Sequence, residues 1–164
     1  MKNLIETRNA TEQDLPFLRK VYGSTRWEEL DQAGWGPDEK NIFLDMQFKV
    51  QDTQWKINYP KASFRIVLVD QKPAGRLYID RRKHEIRVVD IALLPEYRGQ
   101  GIGHRLMSNI LEEATRTNRR VGIHVEHQNP AMRLYERLGF KRGKDTGVYY
   151  FMEWKPTEEA CTAS

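Results

Sequence analysis

The sequence predicts an α/β (α+β) fold, with elements in the order strand, two helices, three antiparallel strands, helix, strand, helix, strand. Three observations carry this. Phe64–Asp70 and Ala74–Arg81 read as strands around the turn Gln71-Lys72-Pro73, the pattern of a hairpin. Ile102, Leu106, Met107, Ile110, Leu111 and Ala114 recur with the spacing of one buried helical stripe. Between them, His84–Leu93 is a longer strand that runs into the turn Pro95–Gly101.

The remaining elements follow in chain order. Leu4–Arg8 reads as a first strand. Thr11-Glu-Gln-Asp14 has the form of a capping box, opening a helix through Leu15, Leu18 and Val21 with Pro16 in its first turn. Gly34-Trp35-Gly36-Pro37 is a break, and a second helix from Pro37 is expected to turn Ile42, Phe43, Met46 and Val50 inward. The aromatic stretch Trp55–Pro60 has no clear period. Arg120–Val125 is a strand, and Val148–Trp154 is an aromatic-rich last strand. Between these two strands, Asn129 is placed to cap a short helix with Pro130 at its first position, Ala131, Leu134 and Leu138 inward, and Gly139 as a left-handed stop. Residues 4–156 are expected to form one domain and 157–164 a disordered tail.

Composition narrows the class. At 164 residues the chain can bury roughly two-thirds of its unfolded surface. Its 39% hydrophobic and 30% charged residues fit a well-charged globular protein. The one cysteine, Cys161, excludes a disulfide framework and a cysteine metal cluster. No apolar run resembles a leader or a span, so a reducing cytoplasm is the expected compartment and no membrane partner is expected. The +4 charge is scattered over Arg81-Arg82-Lys83, Arg119-Arg120 and Lys141-Arg142-x-Lys144 among balancing acids. That favours solvated strand and helix ends over nucleic-acid binding.

The run Asp90-Ile-Ala-Leu-Leu-Pro-Glu-Tyr-Arg-Gly-Gln-Gly-Ile-Gly103 carries the chemistry. A strand, a Gly-rich turn and a helix start aim backbone N–H groups and a helix dipole at one spot, as pyrophosphate binding requires. Glycine at 101 and 103 is expected to let the backbone close on the phosphates. Neither the dinucleotide Gly-x-Gly-x-x-Gly nor a P-loop Lys-Ser/Thr is present. Arg98-x-x-Gly101-x-Gly103 instead resembles the acyl-coenzyme A pyrophosphate loop of the GNAT superfamily of N-acetyltransferases. Asn129-Pro-Ala-Met-Arg-Leu-Tyr-Glu-Arg-Leu-Gly-Phe140 resembles that family's second block, Asn-x-x-Ala-x-x-Leu-Tyr-x-x-x-Gly-Phe.

The resemblance implies a GNAT fold: a central mixed, mostly antiparallel twisted sheet of six to seven strands with about four helices. It implies acetyl-CoA as cosubstrate and direct transfer to a primary amine of a small molecule or protein. The cofactor-binding residues it implies are Ile91, Leu93, Arg98, Gly99, Gln100, Gly101, Ile102, Gly103, His104, Asn129 and Tyr135, with Ile91 and Leu93 acting through their backbones. A homodimer is admitted. The alternatives are a toxin-like transferase acting on aminoacyl-tRNA and a catalytically silent acyl-CoA-binding module.

Among side chains, Tyr135 is the candidate proton donor, since a phenol near pKa ~10 stays protonated while a thiol near ~8.5 leaves. Core packing is the alternative. Glu85 and Asp90 are the candidate bases; five residues apart on one strand, they fall on opposite faces. A water chain would replace either. Asp90 interrupts an apolar run, which demands a structural partner or a role at the acceptor. His124 and His127 are separated by strand alternation, so no metal is expected. The aromatic set Trp27, Trp35, Phe43, Phe48, Trp55 and Tyr59 is core or lines an acceptor cleft, with Gln47, Gln51 and Tyr59 as its hydrogen-bonding residues.

Overall fold

The computed structural model describes residues 3–157. Seven strands form one mostly antiparallel sheet: β1 (Ile5–Asn9), β2 (Ser63–Val69), β3 (Lys72–Arg81), β4 (Glu85–Leu93), β5 (Arg120–Glu126), β6 (Lys141–Asp145) and β7 (Tyr149–Trp154). Their order is β1-β2-β3-β4-β5-β7-β6. Four helices complete the fold: α1 (Leu15–Gln32), α2 (Pro37–Asn58), α3 (Ile102–Thr117) and α4 (Met132–Arg137). The chain packs into two compact units: one runs to Tyr78 and adds Ile91–Arg98, the other holds Ile79–Asp90 and the part from Gly99 onward.

In the first unit β1 and β2 pair antiparallel, with Thr7 opposite Val67. Thr11 forms its capping box on a short 3-10 turn, Glu12–Asp14, and α1 then begins at Leu15. Asp14 accepts two bonds from the Arg8 guanidinium, each 2.8 Å, and one from the Thr11 N–H at 2.8 Å. These partners, Arg8 first, hold its carboxyl down at about 2. The β2–β3 turn lies at Asp70 and Gln71, earlier than the sequence suggests, and both residues have positive φ (50° and 69°).

Helix α2 turns the other way from the sequence expectation. Lys40, Leu44 and Phe48 are buried, whereas Ile42, Met46 and Val50 are exposed. Phe48 meets the Tyr22 ring of α1. Lys40 is buried because α1 supplies both an ion pair to Asp31 and the Trp27 face, 4.4 Å from Nζ. The helix also absorbs the unassigned Trp55 stretch, ending at Asn58.

In the second unit β4 and β5 run parallel, while β7 pairs antiparallel with β5 and β6. Ile102, Leu106, Met107, Ile110, Leu111 and Ala114 of α3 are all buried, as their spacing predicts. Strand β6 has no sequence signature: all five of its residues are exposed. Helix α4 starts two residues later than expected. Met132 and Tyr135 are its buried residues, while Leu134 and Leu138 are half-buried. Gly139 is the left-handed stop, with φ of 104°. The expected tail beyond residue 157 lies outside the described residues.

Because the folded Asp14 carboxyl is lowered below its ordinary value, its stabilisation is present at neutral pH and is lost as pH falls from about 4 through 2. Asp14→Asn is expected to cost about 1–2 kcal/mol at pH 7 and to flatten the acid limb of stability. Thermal melts between pH 2 and pH 7 measure both; parallel curves for variant and wild type would contradict the assignment.

Candidate active site

The loop after β4 is built by two glycines. Gly99 and Gly101 have φ of 72° and 79°, in the left-handed region that favours glycine, and a Cβ on either would point into open space. Gly103 plays another part from the expected one: it lies in the first turn of α3, where a Cβ would meet Leu134 Cδ2 at an ordinary 3.7 Å.

Gly101 is the N-cap of α3, without a side-chain cap and without an acid in the first turn. The helix ladder begins with the Arg105 N–H donating to Gly101 O at 3.1 Å. That leaves the N–H groups of Ile102, Gly103 and His104 outside the ladder, at the positive end of a sixteen-residue helix. Such a donor set fits a pyrophosphate, and the space beside Gly99 and Gly101 gives it room. The His104 side chain is exposed, with Nδ1 3.5 Å from Ser108 Oγ.

The preceding segment belongs to the first unit. Pro95–Tyr97 forms a 3-10 turn, and the Leu94 N–H donates to Ala74 O at 2.8 Å. Gly75 is needed there because a Cβ would collide with Ala92 O. Arg98 leads the loop motif, yet its side chain is spent on the protein. Nε donates to Leu93 O at 3.0 Å and Nη2 to Ser24 Oγ at 3.3 Å. Ile91 and Leu93 end β4, both half-buried.

Tyr135 and Asp90 are brought into electrostatic contact in the second unit. Tyr135 is 4% exposed, its ring 5.8 Å from that of Phe140. Burial first, and the Asp90 charge second, push its phenol well above the usual tyrosine range. Glu85 is engaged elsewhere: Arg87 Nε donates to its carboxylate at 2.6 Å, and Arg82 lies 4.0 Å away. Asn129 is exposed; its Oδ1 accepts the Ala131 N–H at 2.9 Å, capping the turn ahead of α4 rather than the helix itself.

The two histidines take separate paths. His124 packs against Tyr149 and Phe151, and burial, then Arg87, lowers its pKa. His127 pairs with Asp145 at 2.9 Å. Among the described residues no three His, Cys, Asp or Glu side chains converge as a metal site would.

Of the expected acceptor residues, Gln47 is exposed and Tyr59, the C-cap just beyond α2, is half-buried. Gln51 is the informative one: its Oε1 is buried without a hydrogen-bond partner among the described residues. It shares a helix face with Phe48 and Trp55. Nearby in the same unit, the Arg76 guanidinium is buried against Trp55 at 4.9 Å, Tyr78 at 5.5 Å and Tyr22 at 6.0 Å. Sequence reasoning passed over Arg76. Its signal was the one that marked Asp90, a charge in a strand, between Ala74-Gly75 and the apolar run Leu77-Tyr78-Ile79.

Known proteins fix the class. The profile of the Acetyltransferase (GNAT) family matches residues 25–140, and the chain belongs to that family. It is an acetyl-CoA-dependent acyltransferase by that membership. A Bacillus subtilis chain provisionally assigned as a ribosomal protein bS18-alanine N-acetyltransferase is 26% identical over 121 residues, covering 65% of this chain and 80% of its own. An uncharacterized N-acetyltransferase of Archaeoglobus fulgidus is 27% identical over 154 residues, covering 87% and 97%. Among solved structures, the PaiA N-acetyltransferase of Thermoplasma acidophilum in complex with coenzyme A has the same fold. Its TM-score is 0.68 at 20% identity, over 93% of this chain and 99% of that one. No helix among the described residues is long and apolar enough to cross a membrane.

Gly101→Val meets two penalties at once: a β-branched residue in a left-handed conformation and a side chain in the open space expected for the anion. Coenzyme A affinity is expected to fall at least about tenfold, ~1.4 kcal/mol, whereas Gly103→Ala stays within that range. Calorimetric titration of both folded variants checks this; full affinity in Gly101→Val would place the pyrophosphate elsewhere.

Proposed function

We propose that the chain transfers an acetyl group from acetyl-CoA directly to a primary amine of a small molecule or protein, with both substrates bound together. The observation that carries this reading is the uncapped, acid-free start of α3 behind two left-handed glycines. Bound acetyl-CoA supplies the activated thioester carbon. The N–H groups of Ile102, Gly103 and His104 hold its pyrophosphate, with Gln100 and Asn129 as neighbouring polar contacts. Arg98 acts as a tether for the loop, because its guanidinium is bonded to Leu93 O and Ser24 Oγ. The amides of Ile91 and Leu93 are the backbone groups that the family resemblance implies for the pantetheine arm and thioester oxygen.

Tyr135 donates the proton to the departing thiolate. Its raised pKa keeps it protonated across the working range. A tyrosinate beside an ionised Asp90 is costly, since the carboxylate's charge opposes phenol ionisation. When Asp90 has taken the proton of the amine, that opposition is removed, so the two proton transfers help each other. Glu85, with its carboxylate given to Arg87 and Arg82, is the weaker candidate for the base.

A protein N-terminal α-amine is the acceptor class that the Bacillus subtilis relative favours. A thiol-release panel of small amines, a peptide beginning with alanine, and charged tRNA distinguishes the classes. No release with any of them would favour a silent binding module.

Tyr135→Phe keeps the ring but removes the donor, so turnover is expected to drop about 10²–10⁴-fold with coenzyme A affinity nearly unchanged. A drop under about tenfold would return Tyr135 to a packing role. Asp90→Asn is expected to remove the acidic limb of the kcat/KM profile, because a base must be deprotonated to act. An unaltered profile would assign deprotonation to water.

A further inference from the structure

Helix α2 carries two apolar faces, and only one is covered. Lys40, Leu44 and Phe48 face inward, while Ile42, Met46, Val50 and Ile57 are 64%, 64%, 58% and 66% exposed. At 100° per residue these four fall within about 80° of one another, a single stripe opposite the buried face. From Ile42 to Ile57 it runs about 22 Å at 1.5 Å per residue. Single exposed apolar residues are ordinary, but a continuous stripe of this kind marks an interaction surface.

We propose that this stripe is the interface of a homodimer, with α2 packed antiparallel on α2 of a second copy across a two-fold axis. Charge decides for a second copy in this orientation. The helix has Asp38 and Glu39 in its first turn and Lys56 in its last. Asp38 and Lys56 lie on the same flank of the stripe, eighteen residues apart, separated by five full turns. An antiparallel partner brings Asp38 of one copy beside Lys56 of the other at both ends, and it also opposes the two helix dipoles. Lys56 is reachable for this, being 57% exposed and bonded to Asp52 of its own helix. Parallel pairing would set Lys56 against Lys56.

The self-complementarity extends to shape. With the axis at residue 47, Met46 of one helix falls between Val50 and Met46 of the other, so the apolar knobs alternate rather than collide. An isologous interface uses the same patch twice, as closed two-fold pairs do. A patch of about 300–600 Å² on each copy amounts to on the order of 1,000 Å² in total, the lower bound of a specific interface. The pair is therefore concentration-dependent. The inference stands on α2 alone and is independent of the proposed acceptor and mechanism.

Sedimentation over a micromolar concentration series tests it. The wild-type mass is expected to rise from 19.4 kDa to twice that value. Met46→Glu/Val50→Glu, with both changes at exposed positions, is expected to stay at the single-chain mass with an unchanged melt. In a Cys161→Ser background, Asp38→Cys/Lys56→Cys is expected to give a covalent dimer under mild oxidation, and neither single cysteine variant should do so. A wild type that stays monomeric throughout the series overturns the proposal. So does a dimer that persists in the double glutamate variant, since it would use another surface, or a cysteine pair that fails to cross-link.

Discussion

A helix that begins with no side-chain cap is the constraint on which the proposed pyrophosphate site depends. At Gly101 the chain turns through a left-handed residue, offers no capping side chain, and places no acid in the following turn. Ordinary helix starts are stabilised by one or more of these devices. The 3-10 turn ahead of α1, by contrast, carries a complete capping box at Thr11. The start of α3 gives up that local stability and keeps the positive end of the helix dipole uncompensated by a capping side chain or an acid. The six buried apolar residues of α3 hold the helix despite its bare end.

Much of this was legible in the sequence. The α3 stripe has a strong 3.6-residue period and lies entirely on one face, so both its existence and its inward side were readable. The Arg-x-x-Gly-x-Gly order and the second block around Tyr135 gave the family. What escaped was decided by partners distant in sequence. Helix α2 has two apolar stripes of similar strength, and periodicity cannot say which one the protein covers. The answer came from Asp31 and Trp27 on α1, which make burial of Lys40 tolerable. Strand β6 escaped because Lys-Arg-Gly-Lys-Asp is an edge with nothing to bury.

Within the site, residue type was easier to read than residue task. Arg98 looked like a phosphate ligand and is bonded to Leu93 and Ser24, which makes it a brace for the loop's geometry. Glu85 and Asp90 looked equivalent as carboxylates. Arginines surround the first, and the second acts electrostatically on a buried phenol. Spacing along a strand says which face a side chain takes, and does not say which charge waits there.

The β2–β3 turn has a consequence of a different kind. Asp70 and Gln71 both occupy left-handed conformations that cost non-glycine residues about 1 kcal/mol each. The hairpin closes anyway, helped by the Asp70 carboxylate accepting the Leu4 N–H at 2.9 Å. Its register is thus imposed by the strands on an ill-suited turn. That makes this corner a reserve for engineering, where Asn-Gly would relax the backbone and leave Tyr135 and the start of α3 unchanged.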